Sequence, residues 1–192
     1  MDNNFNLEEI LEKFGNKFDA KFIEQRKVFL WGAVHDESAK QVVNRLLYLE
    51  ATDPGKEITF YINSPGGVVT SGLVIIDAMK MISSPVKTVC IGMCASMGAM
   101  LLSQGAEGKR EIWESGRVMI HQPSIGGAYG QASDLEITAA QMEKTKNKLA
   151  VLLADSTGKS LETIMADFDR DFWLDAEESL QYGIVDSISK TI

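Results

Sequence analysis

Positive charge is scarce in this chain. Lysine and arginine together number 19 against 27 aspartates and glutamates, a formal net charge of −8 over 192 residues. No basic cluster stands out, which disfavours binding to nucleic acid or to an anionic membrane, since both need local positive charge. Long apolar runs are missing too. Every such stretch is broken by Gly, Ser or a charged residue well short of the roughly 20 residues that span a bilayer. The N-terminus, MDNNFNLEEILEKFGNKFDAKF, has acids early and no apolar core, so no secretory signal is read there and a cytoplasmic location is expected. Only two cysteines occur, Cys90 and Cys94, at a spacing that fits neither CxxC nor a disulfide framework; two buried thiols in a reducing compartment are expected. Phosphate-binding signatures of the GxxxxGKS/T and GxGxxG types are absent, as are internal repeats, linkers and low-complexity tracts.

What remains is a chain that is 45% hydrophobic, enough for one domain with a sizeable core. Phe5, Leu7, Ile10, Leu11, Phe14, Phe18 and Phe22 recur at helical spacing, so residues 1–26 read as an amphipathic segment ahead of a single domain over 27–192. Within that domain, residues 27–34 read as a strand, and Asp36 fits the N-cap of the helix that follows. A turn at Asp53-Pro54-Gly55 leads to a strand over 56–63, then to Ser64-Pro65-Gly66-Gly67 and a helix over 69–82. A strand over 86–93 and a short buried helix over 95–104 come next, with two short strands at 110–113 and 117–121. Residues 122–131 are Gly-rich, a long helix runs from about 132 to 156, Ser160 and Thr163 start another, and the chain closes as helix, glycine cap and strand. Strands alternating with helices predict right-handed crossovers and an α/β fold with a mostly parallel sheet.

Only two histidines exist, so a histidine acting as general base near neutral pH is His35 or His121. His35 lies at a strand-to-helix junction beside Asp36 and Glu37, where solvation explains it. His121 ends the apolar run VMIHQP, where a half-buried structural histidine is the plain alternative. Ser96, in GMCASMGAM, falls between a strand and a helix, a place that can present a hydroxyl at the carboxyl end of a sheet, and Ala95 and Gly98 leave room for substrate. It is not a GxSxG elbow, and small residues there equally serve tight helix packing. Asn63-Ser64-Pro65-Gly66-Gly67 can aim backbone N–H groups at an oxyanion or be an ordinary turn. Composition offers no reason to prefer any one of the 27 carboxylates.

Four segments taken together, NSPGGVVTSG (63–72), CASMGAMLLSQGAEGKR (94–110), RVMIHQPSIGGAYGQASDLEI (117–137) and DRDFWLDAEESLQYGIVD (169–186), closely resemble the ClpP family of serine peptidases. The resemblance covers about residues 27–190. It implies a ClpP/crotonase-like fold with a long handle helix, and it implies roles residue by residue. Ser96 of ASMG is the nucleophile, His121 of MIHQP the base, and Asp171 of the Arg-Asp pair the acid, with Asp167 and Asp169 as neighbouring alternatives. Gly67 and Met97 supply the oxyanion hole. Residues 122–131 correspond to the handle through which opposed rings pair, and Asp169 with Arg170 to the acidic-Arg pair that links subunits across rings. The chemistry implied is endopeptidase cleavage of unfolded polypeptides and peptides, with no metal or other cofactor; ATP is used by the partner, not by this chain. The partners implied are further copies as two stacked heptameric rings and an AAA+ unfoldase.

Two departures are visible: Asp169 stands where the family commonly has a glutamate, one methylene longer, and the N-terminus differs. Family members usually begin with an apolar, Pro-containing strand that lines an axial pore, whereas here the amphipathic segment precedes Lys27. A helix lying on the ring face is expected instead, and with it a mixed assembly with a second ClpP-type subunit as an alternative to homo-oligomeric rings. Two non-protease readings stand beside the peptidase: an acyl-CoA enzyme of the crotonase type, and a weakly active structural ring subunit. Peptidase activity of the pure protein separates the three.

Overall fold

The computed structural model describes residues 17–127 and 129–190. A helical segment over 17–24, α1, leads into β1 (Lys27–Trp31). There follow α2 (Asp36–Thr52), β2 (Ile58–Ser64), α3 (Val69–Met81), β3 (Val86–Ala95), α4 (Met97–Ser103), β4 (Arg110–Trp113) and β5 (Arg117–Ile120). The chain continues through α5 (Ala132–Thr157), α6 (Leu161–Asp167), β6 (Phe172–Leu174), α7 (Ala176–Tyr182) and β7 (Ser187–Ser189). Strands β1, β2, β3, β4 and β7 pair side by side in that order and all in parallel. The mostly parallel sheet with flanking helices expected from the alternating pattern is the one that forms.

The sheet forks at β3. Its first half, Thr88 to Cys90, pairs with β4, and its last residues, Met93 to Ala95, pair in parallel with β5. A register shift against β2 between Ile62 and Ser64 separates the two halves. Strand β6 then adds antiparallel to β5. The fork brings the carboxyl ends of β3 and β5 together, and β6 hangs from the same corner.

The core lies between one sheet face and the helices. Leu30, Leu46, Phe60, Ile62, Ile75, Leu101 and Leu102 are each at most 2% exposed. Burial of each such side chain contributes about 1.5–3 kcal/mol relative to leaving it in water. On the other face Phe29 stacks on Tyr61 with centroids 5.0 Å apart, and Phe22 of α1 tilts onto Phe29 at 4.8 Å. No helix among the described residues is long and apolar enough to cross a membrane. Both cysteines are free and buried.

Several expectations need correction. The N-cap of α2 is His35, not Asp36: the His35 Nδ1 accepts the Ser38 N–H at 3.3 Å, and the Ser38 hydroxyl accepts the His35 N–H at 3.0 Å. An imidazole nitrogen with a lone pair caps a helix as an Asn oxygen does. Asp36, the first helical residue, instead accepts the Ser71 hydroxyl at 2.5 Å and ties α2 to α3. Strand β1 stops at Trp31, and Val34 makes only an isolated bridge with Gly67. Strand β6 is an addition to the strands expected from the sequence. The expected N-terminal helix is seen only from residue 17 onward, since residues 1–16 lie outside the described ones. The described part of 122–131 forms no strand within the single chain.

Candidate active site

Ser96 sits between the last residue of β3 and the first of α4, in a conformation uncommon for a side chain of its kind, φ 54° and ψ −119°. Its N–H donates to the Met119 carbonyl on β5 at 2.8 Å, and its own carbonyl accepts the Met100 N–H at 3.2 Å. A serine held at positive φ on a strand-to-helix turn has its hydroxyl pushed clear of the sheet, the geometry of a nucleophile elbow without the GxSxG spelling. The neighbours are small because space is short. A Cβ on Gly66 would lie 2.6 Å from the Ser96 Cβ, and one on Gly98 would lie 2.9 Å from the Ser64 carbonyl oxygen.

His121 follows β5, and its Nε2 is 2.8 Å from the Ser96 Oγ. Two features of the fold make that contact: β3 and β5 run parallel to the same corner, and Ser96 turns off the end of one as His121 leaves the end of the other. On the far side of the ring, the His121 Nδ1 is 3.7 Å from the Asp171 Oδ1, an ion-pair distance longer than a hydrogen bond. The β5–β6 ladder explains the approach. Val118 pairs with Leu174, Met119 with Trp173 and Ile120 with Phe172, so one further step of the same register sets His121 opposite Asp171. The His121 side chain is 22% exposed and that of Asp171 64%.

The two other nearby carboxylates are engaged elsewhere. Asp167 accepts the Tyr182 hydroxyl at 2.8 Å, and burial followed by this bond pushes the Tyr182 phenol up from its ordinary value. Asp169 accepts the Gln122 side-chain N–H on its carbonyl at 2.9 Å and on Oδ1 at 3.2 Å, and its Oδ2 lies 3.2 Å from Arg170 Nη1. Arg170 is 84% exposed and is held by its own neighbour within this chain.

Met97 follows Ser96 in the chain, and Gly67 follows Gly66, the glycine that stands against Ser96. The Gly66–Gly67 corner is fixed by the Val34 N–H donating to the Gly66 carbonyl and the Val68 N–H donating to the Val34 carbonyl, both at 2.8 Å. A Cβ on Gly67 would come 2.2 Å from the Val34 carbonyl oxygen, so the corner admits no larger residue. A Cβ on Gly66 would also stand 2.9 Å from the Met97 nitrogen, which sets this corner against the start of α4. As the first residue of a helix, Met97 has an N–H with no acceptor inside that helix. Of the two thiols, Cys94 lies on the strand leading to Ser96; burial first, then the adjacent Cys90, pushes it well above its ordinary value, which leaves it without thiolate reactivity. A cavity of about 760 Å³ between α1 and α2, lined in part by Ile23, Arg26, Tyr48 and Leu49, contains none of these residues.

Sequence reasoning from composition leaves the carboxylate open, and the missing signal is β6. Three residues, Phe172-Trp173-Leu174, are too few to announce a strand by periodicity, yet their pairing with β5 is what singles out Asp171. The strain at Ser96 is likewise hidden, because nothing in a serine's identity marks a positive φ.

Comparison with known proteins gives a consistent result. Residues 12–191 match the sequence model of the Clp protease family. Curated proteins described as "ATP-dependent Clp protease proteolytic subunit" from two strains of Bacteroides fragilis, one of them YCH46, are each 48% identical over 169 residues. The alignments span 88% of this chain and 81% and 76% of those relatives.

Proposed function

The chain belongs to the Clp protease family, and on that premise we propose that it is a serine endopeptidase subunit in which Ser96, His121 and Asp171 form the catalytic triad. The observation that carries this reading is the 2.8 Å contact between Ser96 Oγ and His121 Nε2 at a strained strand-to-helix turn. His121 takes the Ser96 proton as Oγ attacks the peptide carbonyl, and the imidazolium then protonates the leaving amine. Asp171 draws in to hydrogen-bond Nδ1, which fixes the tautomer that leaves Nε2 free to accept; catalytic contacts of this kind tighten in the working state. The Gly67 and Met97 amides receive the negative charge of the tetrahedral intermediate. Water then repeats the sequence on the acyl-enzyme, with His121 again as base. No step calls on a metal or another cofactor.

The same reading extends to assembly. Residues 27–192 are the protease domain, and residues 1–26 are appended to it. Copies assemble as heptameric rings stacked in pairs around a chamber, fed with unfolded polypeptide by an AAA+ unfoldase that spends the ATP. Ile125 at 50% exposed, Ile137 at 62% and Tyr129 at 98% support ring-to-ring contact through the 122–131 segment and the start of α5, because a lone soluble chain has no use for apolar side chains grouped there. Asp169 and Arg170 lie at the same end and serve that contact. A mixed assembly with a second ClpP-type subunit is the alternative composition.

Ser96→Ala tests the reading. Loss of a triad nucleophile removes at least about a thousandfold of kcat for a fluorogenic peptide. The variant keeps the native mass of the wild type, and a fluorophosphonate probe labels Ser96 alone in the parent. Retention of more than about a tenth of the activity, set against that expected thousandfold loss, sinks the assignment of Ser96, whereas a pure parent protein without peptidase activity leaves a structural ring subunit or a crotonase-type enzyme.

A further inference from the structure

Asp171 reaches toward His121 without an anchor of its own. Its side chain is 64% exposed, and no hydrogen bond among the described residues holds its carboxylate. Its place is set by the turn that carries it, residues 167–172. The outer ends of that turn are secured from α7: the Tyr182 hydroxyl donates to Asp167 at 2.8 Å, and the Tyr182 ring lies 5.6 Å from that of Phe172. Phe172 also pairs with Ile120 in the β5–β6 ladder. Phe168 is held by burial of its ring, 2% exposed, and by its N–H donating to the Ile164 carbonyl at 2.9 Å, and the Asp169 N–H donates to the Ala166 carbonyl at 3.4 Å. Among the described residues, the hydrogen bonds that tie the middle of the turn to β5 come from the residue after His121. The Gln122 N–H donates to the Phe168 carbonyl at 2.6 Å, and its side-chain amide donates to the Asp169 carbonyl at 2.9 Å and to Asp169 Oδ1 at 3.2 Å. Among the described residues, the hydrogen bond and the ion pair of Arg170 both go to the adjacent Asp169.

We propose that Gln122 is a positioning residue whose side-chain amide fixes the 169–171 stretch of the turn against the end of β5 and so presents the Asp171 carboxylate to His121. The inference rests on the triad reading above. Its physical content is that base and acid are carried on adjoining backbones, cross-tied close to each. A turn of two to three free residues can swing a side chain by an ångström or more, and displacement on that scale at a catalytic group costs about a hundredfold. The tie removes that freedom without touching substrate. Both of its acceptors belong to Asp169, so the arrangement needs a donor at position 122. A glutamate of the same shape cannot supply one near neutral pH and would place a second carboxylate beside Asp169.

The test uses the full chain in its native assembly, with a peptidyl-aminomethylcoumarin as substrate. Gln122→Ala is expected to lower kcat by about ten- to a hundredfold with KM changed less than about twofold, since the turn acts on the transition state and not on binding. Gln122→Glu, which preserves shape, is expected to lose at least as much. In an Asp171→Asn background the further loss from Gln122→Ala shrinks to under about twofold, because residues acting through one another are not additive. A crystal structure of Gln122→Ala is expected to show Asp171 farther from His121 Nδ1, a readout that stands whether or not the isolated protein turns over peptide. Unchanged kcat in both variants, a fully additive cycle, or an unmoved Asp171 overturns the role of Gln122 while leaving the triad intact. If Asp171→Asn itself keeps wild-type kcat, the acid assignment fails first.

Discussion

Gly66 and Gly32 have nearly the same backbone, with φ of +93° and +91°, and opposite surroundings. A Cβ on Gly32 would meet nothing within 4 Å, whereas one on Gly66 would stand 2.6 Å from the Ser96 Cβ, 2.8 Å from the Ala95 carbonyl oxygen and 2.9 Å from the Met97 nitrogen. Alanine at the two sites therefore separates conformational strain from steric contact. Gly32→Ala carries the left-handed penalty alone, about 1–2 kcal/mol. Gly66→Ala carries that plus overpacking of about 1–3 kcal/mol, for a total of about 2–5 kcal/mol. Gly126, with an ordinary φ and open space around it, sets the baseline, and Gly126→Ala is expected to change stability by less than about 1 kcal/mol. Two of the three atoms in the way of a Gly66 side chain are backbone, and the third is the Cβ of Ser96, so the strain is relieved by moving the elbow. Gly66→Ala is then expected to slow fluorophosphonate labelling of Ser96 by more than its stability loss explains, while Gly32→Ala labels at the parental rate. Thermal unfolding and labelling kinetics on the three variants read this directly. If Gly66→Ala unfolds like Gly32→Ala and labels like wild type, the close approach of the Gly66 corner to the nucleophile is not what holds Ser96.

Two further outcomes concern charge. The Ser83 and Ser84 hydroxyls, with their backbone N–H groups, hold the Glu50 carboxyl down at about 2, so its contribution to stability is complete above the ordinary carboxylate value near 4.5 and is lost as pH falls from there toward 2; Glu50→Gln should flatten that part of the acid limb in urea unfolding, and an unaltered limb would count against it. Burial alone would raise Asp186, but its hydrogen bonds and charge contact with Arg110 outweigh that and keep it below its ordinary value. Arg110→Met should cost about 2–4 kcal/mol, less than a fully buried pair because Asp186 keeps some water, and adding Asp186→Leu should recover most of it; a double variant as unstable as the single one would contradict this.

How far the sequence can be read depends on how many residues announce each feature. Helices α2, α3 and α5 and strands β1, β2 and β3 repeat their apolar periods often enough to be seen, and their residues supply much of the core. Boundaries slip where chemistry is shared between neighbours. His35 and Asp36 are both competent caps, and only the path of the chain decides that the imidazole takes the Ser38 N–H while the carboxylate takes Ser71. In the site, Ser96 and His121 are reachable because histidines are few and the motifs around both residues are specific. Asp171 is reachable only through resemblance, since its selection over Asp167 and Asp169 is a matter of register between two strands, one of them three residues long. Gln122 carries no signal at all: a glutamine's partners are set by the fold.

A parallel sheet places all of its carboxyl ends on one edge and all of its amino ends on the other, and here the two edges have different work. The carboxyl ends of β3 and β5 carry Ser96 and His121. The amino ends are gathered by Arg26, which is 8% exposed and lies just before β1. Its guanidinium donates to the Glu57 carbonyl at 3.0 Å, to the Leu49 carbonyl at 3.0 Å, to the Lys56 carbonyl at 2.9 Å and to the Ser84 hydroxyl at 3.3 Å. One side chain thus joins the start of β1, the end of α2, the approach to β2 and the turn before β3. Removing it strips a charged donor from three carbonyls at once. At about 1.5–3 kcal/mol for each bond to a charged group, and with water re-solvating the part-buried ones, Arg26→Ala should destabilise by about 3–5 kcal/mol. Lysine should recover little, because an ammonium cannot span acceptors arranged for a planar fork. The strand between clamp and site is ten residues long, about 33 Å of chain at strand rise, and the contacts of His121 with Ser96 and Asp171 do not pass through Arg26. Turnover per folded Arg26→Ala subunit should therefore equal that of the wild type, measured by fluorophosphonate titration of active sites below the unfolding transition. A variant that loses turnover per titrated site in step with its stability would show that the two edges are not independent, and the division of labour between them would have to be abandoned.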